Sequence, residues 1–156
     1  ICVCVCACGC VFGWVGGCVW EQVITPDGWI CTGDLAVIDS HGYCSIVGRV
    51  KDMIIRGGEN IYPSEVEDVF HAHPAVEDVA VIGIPNKQLG EEVCAWIKLK
   101  PGSEVSAGEL KEYAKQSLAR YKIPKYILFQ DEFPVTANGK HQKNVMRTLS
   151  EKLLDV

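Results

Sequence analysis

The sequence lacks the excess of basic residues that nucleic-acid-binding proteins usually present on one face. Its 156 residues contain 15 Lys and Arg against 20 Asp and Glu, which gives a formal net charge of −5. The balance is uneven, because residues 1–109 carry 6 basic and 15 acidic groups whereas residues 110–156 carry 9 and 5. The basic end is compatible with a site for phosphate-bearing ligands or with a solvated lysine-rich surface. No nucleic-acid partner is expected.

Charged side chains are also missing from the first twenty residues, which hold six of the nine cysteines, at positions 2, 4, 6, 8, 10 and 18. The alternation of Cys and Val is what a repeated TG dinucleotide encodes in one reading frame, and the chain does not begin with methionine. The sequence therefore predicts that residues 1–22 are a disordered or artefactual Cys/Val/Gly-rich segment at the amino end of a fragment.

Other functions of this segment are weakened by what it lacks. A Cys-x-Cys series can bind soft metals through thiolates, but no histidine or second cysteine cluster lies near enough to complete a ligand set. Four glycines and the absence of basic flanks argue against a membrane span, and the absence of a positive n-region argues against a secretory signal. Metal binding by residues 2–18 stays open as an alternative, and no membrane span is expected.

The other three cysteines are scattered singly among apolar neighbours, at Cys31, Cys44 and Cys94. Such spacing does not indicate a disulfide framework. We therefore expect all three to be small core residues of a protein in a reducing, intracellular compartment.

From Trp29 onward, local signals predict short strands and helices. Leu35–Ile38 and Tyr43–Val47 indicate one hairpin. Met53–Ile55 and Asn60–Tyr62 flank a glycine pair and indicate a second small hairpin or a sharp loop. Further strands are predicted at Val76–Ile84, closed by Pro85, at Glu92–Leu99 and at Tyr126–Phe129.

Two of the three predicted helices begin with a capping box, in which a serine caps the helix and a glutamate three residues later bonds back to it. Ser64 with Glu67 begins the first, and Ser106 with Glu109 begins the second, which runs to about Leu118. Val145–Leu154 is the third. The order of elements predicts an α+β fold, with helices packed on a small sheet.

Asp34 and Arg49 are the first candidates for binding chemistry. A carboxylate after a glycine, as in Thr32-Gly33-Asp34, can accept two hydrogen bonds from a ribose diol, although plain turn chemistry explains most such aspartates. The hairpin can bring Arg49 beside it, where a guanidinium would face ribose or phosphate oxygens. The alternative is a surface ion pair of Arg49 with Asp34 or Asp52.

Two later motifs add a flexible loop and a lysine. Gly57-Gly58-Glu59 allows the backbone to approach a ligand closely, although by itself it indicates an ordinary hairpin turn. Asn138-Gly139 predicts a tight turn with positive φ available at both positions, so that Lys140 projects from a loop tip. Such a lysine can neutralise a carboxylate and the phosphate that it attacks, but most loop lysines are only solvated. The histidines show no metal-ligand spacing, so no protein metal site is predicted.

Together, Thr32-Gly33-Asp34, the run from Gly48 to Pro63 and Pro134…Gly139-Lys140 resemble the ordered motifs of the adenylate-forming superfamily. The resemblance covers residues 23–156 and is greatest to mitochondrial medium-chain fatty acyl-CoA synthetases. It implies the small carboxy-terminal domain of that superfamily at residues 49–156, with a hinge at 49–52. Residues 23–48 would then be a hairpin remnant of the large AMP-binding domain.

By this resemblance, Asp34 and Arg49 bind the ribose of ATP or AMP, and Lys51 is the hinge. Lys140 contacts the carboxylate and the α-phosphate, while the loop Gly57, Gly58 and Glu59 faces the path of CoA. The implied substrates are a fatty acid, ATP and CoA, with Mg²⁺. One departure concerns Ile30 and Cys31, where the family often has an aromatic and a basic residue.

The resemblance also implies a partner that the sequence does not contain, namely the large amino-terminal domain with its phosphate loop and acyl pocket. Because binding energy for catalysis must come from both sides of the cleft, we expect the chain alone to lack ligase activity. A non-catalytic binding or structural module derived from such an enzyme is the alternative. Mitochondrial localisation is implied by the resemblance only.

Overall fold

The computed structural model describes residues 2–5, 26–27 and 29–155. The chain divides into two compact units, Ile1–Lys51 and Asp52–Val156. The boundary falls within the range 49–52 that the sequence predicts as a hinge, and hinge motion itself stays a prediction. Within the described ranges, no helix is both long and apolar enough to cross a membrane.

The first unit contains an antiparallel sheet of three strands in the order β1-β2-β3, formed by Cys2–Val5, Ile30–Ile38 and Cys44–Arg49. Asp39 organises the turn between β2 and β3, because its Oδ1 accepts hydrogen bonds from the amides of His41 and Tyr43 at 2.8 and 2.9 Å. Side-chain bonds of this kind let aspartate direct a turn locally. The hairpin predicted from the sequence is therefore confirmed.

The cysteine-rich segment is described only in part. Cys2–Val5 form β1 and pair antiparallel with β2, whereas a disordered or artefactual segment was predicted over 1–22. The rest of that segment, and with it the alternative of metal binding over 2–18, lies outside the described residues.

The second unit is built on a sheet of five strands, which are β4 Ile54–Arg56, β5 Glu59–Ile61, β6 Val76–Asn86, β7 Gly90–Leu99 and β8 Tyr126–Phe129. The strand order is β5-β4-β7-β6, and β8 adds in parallel beside β7. Its helices are α1 Pro63–His71, α2 Ala107–Lys115 and α3 Lys143–Leu154. The predicted α+β class is confirmed, since helices pack on a mostly antiparallel sheet.

Both faces of this sheet are buried, which explains the dense aliphatic sequence of β6. Alternate residues of a strand point to opposite faces, so Val79 and Val81 join one cluster and Ala80 and Ile82 another. Phe70 of α1 and Leu110 of α2 complete the first cluster, and Met146 of α3 completes the second. The unit thus has three layers, with α1 and α2 on one face and α3 on the other.

The beginning of α1 differs from the prediction. The helix starts at Pro63 with Tyr62 as N-cap, and the side chain of Tyr62 makes no cap bond. Proline at the first helical position has its φ preset and needs no amide partner, so Ser64 is already inside the helix. The carboxylate of Glu67 instead accepts from Val81 N at 2.8 Å and from Lys143 Nζ at 2.7 Å. The capping box predicted from Ser64 and Glu67 is therefore wrong.

The ends of α2 and β6 differ from the prediction by two or three residues. The capping box of Ser106 and Glu109 is present, but α2 ends at Lys115, before the predicted Leu118. Pro85 lies inside β6, which it was expected to close. Because β6 is the last strand in the sheet order, it can accommodate a residue without an amide donor.

The prediction for the cysteines is correct for one of three. Cys94 is buried in β7, where desolvation raises the pKa of its thiol to about 11 against the opposing effect of a hydrogen bond to Ser150. Cys31 and Cys44 are exposed. Both lie on the small hairpin sheet, on which few of the described side chains are buried, so apolar neighbours in sequence did not indicate a core position.

A buried ion pair ties β4 to β7. Glu92 is only 1% exposed, and its Oε1 accepts from Arg56 Nε at 2.5 Å and from its neighbour's amide, Val93 N, at 3.1 Å. Arg56 also donates to the carbonyl of Tyr121 at 3.5 Å. A carboxylate this deeply buried needs its cationic partner, because desolvation of an unpaired charge is costly.

We predict that Arg56→Met lowers the free energy of unfolding by about 3 kcal/mol, because it leaves the Glu92 carboxylate buried without a cation. Urea unfolding followed by circular dichroism measures the loss. The matched control is Arg56→Met with Glu92→Met, which removes both charges and should recover most of the stability. A double variant as unstable as the single one would contradict this account.

Candidate functional site

Asp34 and Arg49 face each other across the hairpin of the first unit. They are register partners in β2 and β3, and directly opposed residues of an antiparallel pair project to the same side of the sheet. Arg49 Nε donates to Asp34 Oδ1 at 3.1 Å, and the side chains are 52% and 30% exposed. At that exposure the ion pair contributes little to stability.

The pair leaves polar groups available to a ligand. Among the described residues, no partner bonds Asp34 Oδ2 or the two terminal nitrogens of Arg49. A depression of about 250 Å³ lies beside them, lined by Thr32, Gly33, Arg49, Val50 and Lys51. The surface ion pair considered from the sequence is therefore present, and binding of a ribose to the same groups stays a prediction.

Lys51 lies in a 3-10 turn formed by Val50–Asp52, at the end of the first unit. Its side chain is exposed. Within the part of the chain that the structure describes, no carboxylate pairs with its ammonium. Its ammonium is thus without a described partner, and the role of Lys51 as a hinge stays a prediction.

Gly57 and Gly58 form the two-residue turn between β4 and β5. Their φ values are 59° and 88°, and this kind of hairpin turn requires positive φ at both positions. Gly57 N also donates to Leu89 O at 2.8 Å, which ties the turn to the β6–β7 hairpin. Glu59 is exposed at the start of β5. The ordinary hairpin turn is present, and its role toward CoA stays a prediction.

Lys140 ends a three-residue loop. Thr136 N donates to Lys140 O at 2.8 Å, Gly139 N donates to Thr136 O at 2.9 Å, and Lys140 N donates to Thr136 Oγ1 at 3.2 Å. Only Gly139 has a positive φ, 75°, so the expectation of positive φ at Asn138 too is wrong. The loop has three residues, one more than a two-residue Asn-Gly turn. A loop of this length needs the left-handed conformation at only one residue.

The side chain of Lys140 is exposed. No described residue forms an ion pair or a hydrogen bond with its ammonium. A free ammonium at the end of a loop with three internal hydrogen bonds can meet an anionic ligand as a mobile point charge.

One cluster was missed by the sequence analysis, which found no metal-ligand spacing among the histidines. His141 Nε2 lies 3.0 Å from Asp78 Oδ2, and His71 Nε2 lies 4.0 Å from Asp78 Oδ1. Asp78 and His141 are 63 positions apart, so no local pattern could have joined them. The described residues contain no group of three or more His, Cys, Asp or Glu that could hold a metal ion.

Residues 65–140 match the model of the AMP-binding enzyme C-terminal domain. The chain carries the C-terminal domain of the adenylate-forming enzymes. Lys140 is the last residue of the match, while Asp34, Arg49, Lys51 and the Gly57-Gly58 turn precede it.

Two relatives of similar sequence are named as acyl-CoA synthetases or ligases, in agreement with the match to the adenylate-forming domain. YngI of Bacillus subtilis, a provisionally assigned acyl-CoA synthetase, is 58% identical over 127 residues, which are 81% of this chain and 23% of YngI. The mitochondrial medium-chain acyl-CoA ligase ACSF2 of Bos taurus is 49% identical over 136 residues, 87% of this chain and 22% of the ligase.

A solved structure has the same fold. The o-succinylbenzoate CoA synthetase MenE of Bacillus subtilis, in complex with the acyl-adenylate intermediate OSB-AMP, superposes with a TM-score of 0.76 at 42% identity. The match covers 81% of this chain and 26% of that one. The chain thus spans about a quarter of the length of the proteins it resembles, and the predicted superfamily fold is confirmed.

We predict that Gly57→Ala destabilises the second unit by about 1 kcal/mol more than Gly58→Ala, because a Cβ at position 57 overpacks a neighbour. It would lie 3.3 Å from Leu89 Cδ2, whereas a Cβ at Gly58 has no described atom within 4 Å. Both variants carry the similar cost of a positive φ, so Gly58→Ala is the matched control. Urea unfolding measures the difference, and equal losses would show that the contact with Leu89 is unimportant.

Proposed function

We propose that this chain is the carboxy-terminal part of an acyl-CoA synthetase. This enzyme activates a medium-chain fatty acid with ATP and transfers the acyl group to CoA. The observation that carries the proposal is the match of residues 65–140 to the AMP-binding C-terminal domain. The match ends at Lys140, whose side chain is exposed and whose ammonium has no partner among the described residues. The choice of a medium-chain fatty acid rests on the relative from Bos taurus, which is named a medium-chain acyl-CoA ligase.

The ribose of the nucleotide binds at Asp34 and Arg49. The Oδ2 of Asp34, which no described residue bonds, accepts a hydrogen bond from one ribose hydroxyl, and Oδ1 can exchange its bond from Arg49 Nε for the other. The exchange costs little because the ion pair is partly exposed, and exposed ion pairs contribute little energy. The depression beside Thr32 and Gly33 provides room for the sugar.

Lys140 acts in the first half-reaction. The fatty acid carboxylate attacks the α-phosphorus of ATP, a bond forms between its oxygen and that phosphorus, and pyrophosphate leaves. Negative charge is present on both reacting groups, and an ammonium between them lowers their repulsion in the transition state. The loop from Thr136 to Lys140 holds the lysine backbone while its long side chain stays free to reach the nucleotide.

The second half-reaction uses a different part of the unit. The thiol of CoA attacks the acyl carbonyl, a thioester forms, and AMP leaves. The Gly57-Gly58 turn, which presents no Cβ, lines the path of the CoA arm. Rotation at Lys51 moves Lys140 away from the reacting groups and brings the glycine turn to them. In this scheme the two half-reactions depend on separate residues.

Magnesium enters with the triphosphate. The described residues offer no cluster of three ligands for a metal, and Mg²⁺ is commonly bound through substrate phosphates and few protein carboxylates. Mg²⁺ is accordingly proposed as part of the ATP substrate. Mitochondrial localisation is part of the proposal and rests on the name of the relative from Bos taurus.

A non-catalytic module is the second candidate. It is favoured by the ion pair of Arg49 with Asp34, which engages both side chains without a ligand. Such a module would keep the fold and the ion pairs of both units without completing a reaction. The fusion-enzyme experiment below separates these candidates, because only a synthetase domain supports both half-reactions there.

We predict that Lys140→Ala lowers the rate of acyl-AMP formation at least about 100-fold, because the variant loses charge stabilisation of the transition state. The assay uses a fusion enzyme in which residues 29–156 replace the matching part of YngI. Pyrophosphate release reports the first half-reaction, and thioester formation from supplied acyl-AMP reports the second.

The second half-reaction is the internal control and should change less than about threefold. Lys143→Ala is a matched lysine control, because Lys143 pairs with Glu67 at 2.7 Å and has no part in the scheme. Equal losses in both half-reactions of Lys140→Ala would contradict the proposed role.

We also predict that the purified 156-residue chain does not release pyrophosphate from ATP and a medium-chain fatty acid. The physical reason is that binding energy must come from both walls of the active site. The fusion enzyme serves as the positive control at the same concentration. Turnover by the chain alone at a comparable rate would overturn this prediction.

A further inference from the structure

Asp78 projects from an irregular point of β6. The register of β6 on β7 shifts between Val76 and Asp78, so that Glu77 is an extra residue. A bulge of this kind turns the following side chain out of the regular alternation. Asp78 Oδ2 then lies 3.0 Å from His141 Nε2, and His141 directly follows Lys140 in the chain.

His141 is held on several sides at the base of the Lys140 loop. Its backbone bridges to Val135, and its ring lies edge-to-face with Phe133 at a centroid distance of 5.2 Å. The next residue, Gln142, donates from its amide to Pro134 O at 2.8 Å and from its side chain to Val135 O at 2.7 Å. The two stems of the loop are therefore paired, and Asp78 joins them to the sheet.

We propose that Asp78 and His141 form a positioning pair for Lys140. The pair fixes the stem of the loop on the sheet, and this limits the volume that the lysine ammonium explores. The inference rests on the proposed function, because it concerns the step in which Lys140 meets the reacting carboxylate and phosphate. It adds two residues that do not touch the substrate.

The Asp78–His141 pair is expected to affect the position of Lys140 and not the stability of the fold. His141 and Asp78 are 25% and 36% exposed, so their pairing contributes little to the free energy of unfolding. A displacement of a reacting group by about 1 Å can nevertheless cost up to about 100-fold in rate. Loss of the pair should therefore affect catalysis far more than folding.

His71 provides a matched control. Its Nε2 lies 4.0 Å from the other oxygen of the same carboxylate, but it belongs to α1 and is not linked to the loop. A substitution there perturbs the surroundings of Asp78 without releasing the Lys140 stem. His71→Gln should thus leave both half-reactions unchanged.

The experiment compares Asp78→Asn, His141→Gln and His71→Gln in the fusion enzyme, with Lys140→Ala as reference. We expect the first two variants to lower kcat for pyrophosphate release about tenfold, with KM for ATP and the thioester half-reaction within about twofold of the parent. His141→Lys, which supplies a hydrogen-bond donor for Asp78, should recover part of the loss. Thermal unfolding checks that each variant folds.

A second measurement uses the 156-residue chain itself. Amide hydrogen exchange at Lys140, whose N–H donates to Thr136 Oγ1, should be faster in Asp78→Asn and His141→Gln than in His71→Gln. Equal exchange in all variants, or equal losses in both half-reactions, would overturn the positioning role. If Lys140→Ala retains full pyrophosphate release, the proposed function fails. If Lys140→Ala loses pyrophosphate release but His141→Gln releases pyrophosphate at the rate of the parent enzyme, only the positioning role fails.

Discussion

The pairing of β6 with β7 is the interaction on which the second unit depends. The two strands align from Val76 with Leu99 to Asn86 with Gly90, and side chains on both faces of this ladder are buried. One face receives α1 and α2, and the other receives α3. The hairpin end also binds the glycine turn, through Gly57 N to Leu89 O. Without this ladder, neither the glycine turn nor the Lys140 loop has a fixed support.

Stability and candidate chemistry are assigned to different residues. The buried charge of Glu92 is neutralised by Arg56 inside the unit, where loss of one partner is costly. Asp34, Arg49, Lys51 and Lys140 are at least partly exposed, and their contacts contribute little to folding. Groups that must exchange partners with a ligand are expected at such positions, because a protein ion pair of low energy can be replaced without unfolding the domain.

How well the sequence predicted the structure depended on the range of the interaction. Both hairpins and the Ser106 capping box rest on residues a few positions apart, and they were predicted correctly. The cap at Ser64 was wrong because a neighbour, Pro63, starts the helix earlier. Burial of Cys31 and Cys44 was wrong because burial depends on what packs over a strand, which apolar neighbours in sequence do not specify.

The same argument applies to the candidate site. Asp34, Arg49 and Lys140 could be selected from the sequence because each lies in a short motif, and the approach of Arg49 to Asp34 follows from one hairpin. The contact of His141 with Asp78 could not be predicted, since it needs the bulge in β6, the bridge at Val135 and the packing of Phe133 together. Local motifs therefore identify the candidate groups for the chemistry, whereas the contacts that hold those groups in place arise only when distant segments pack on a common sheet.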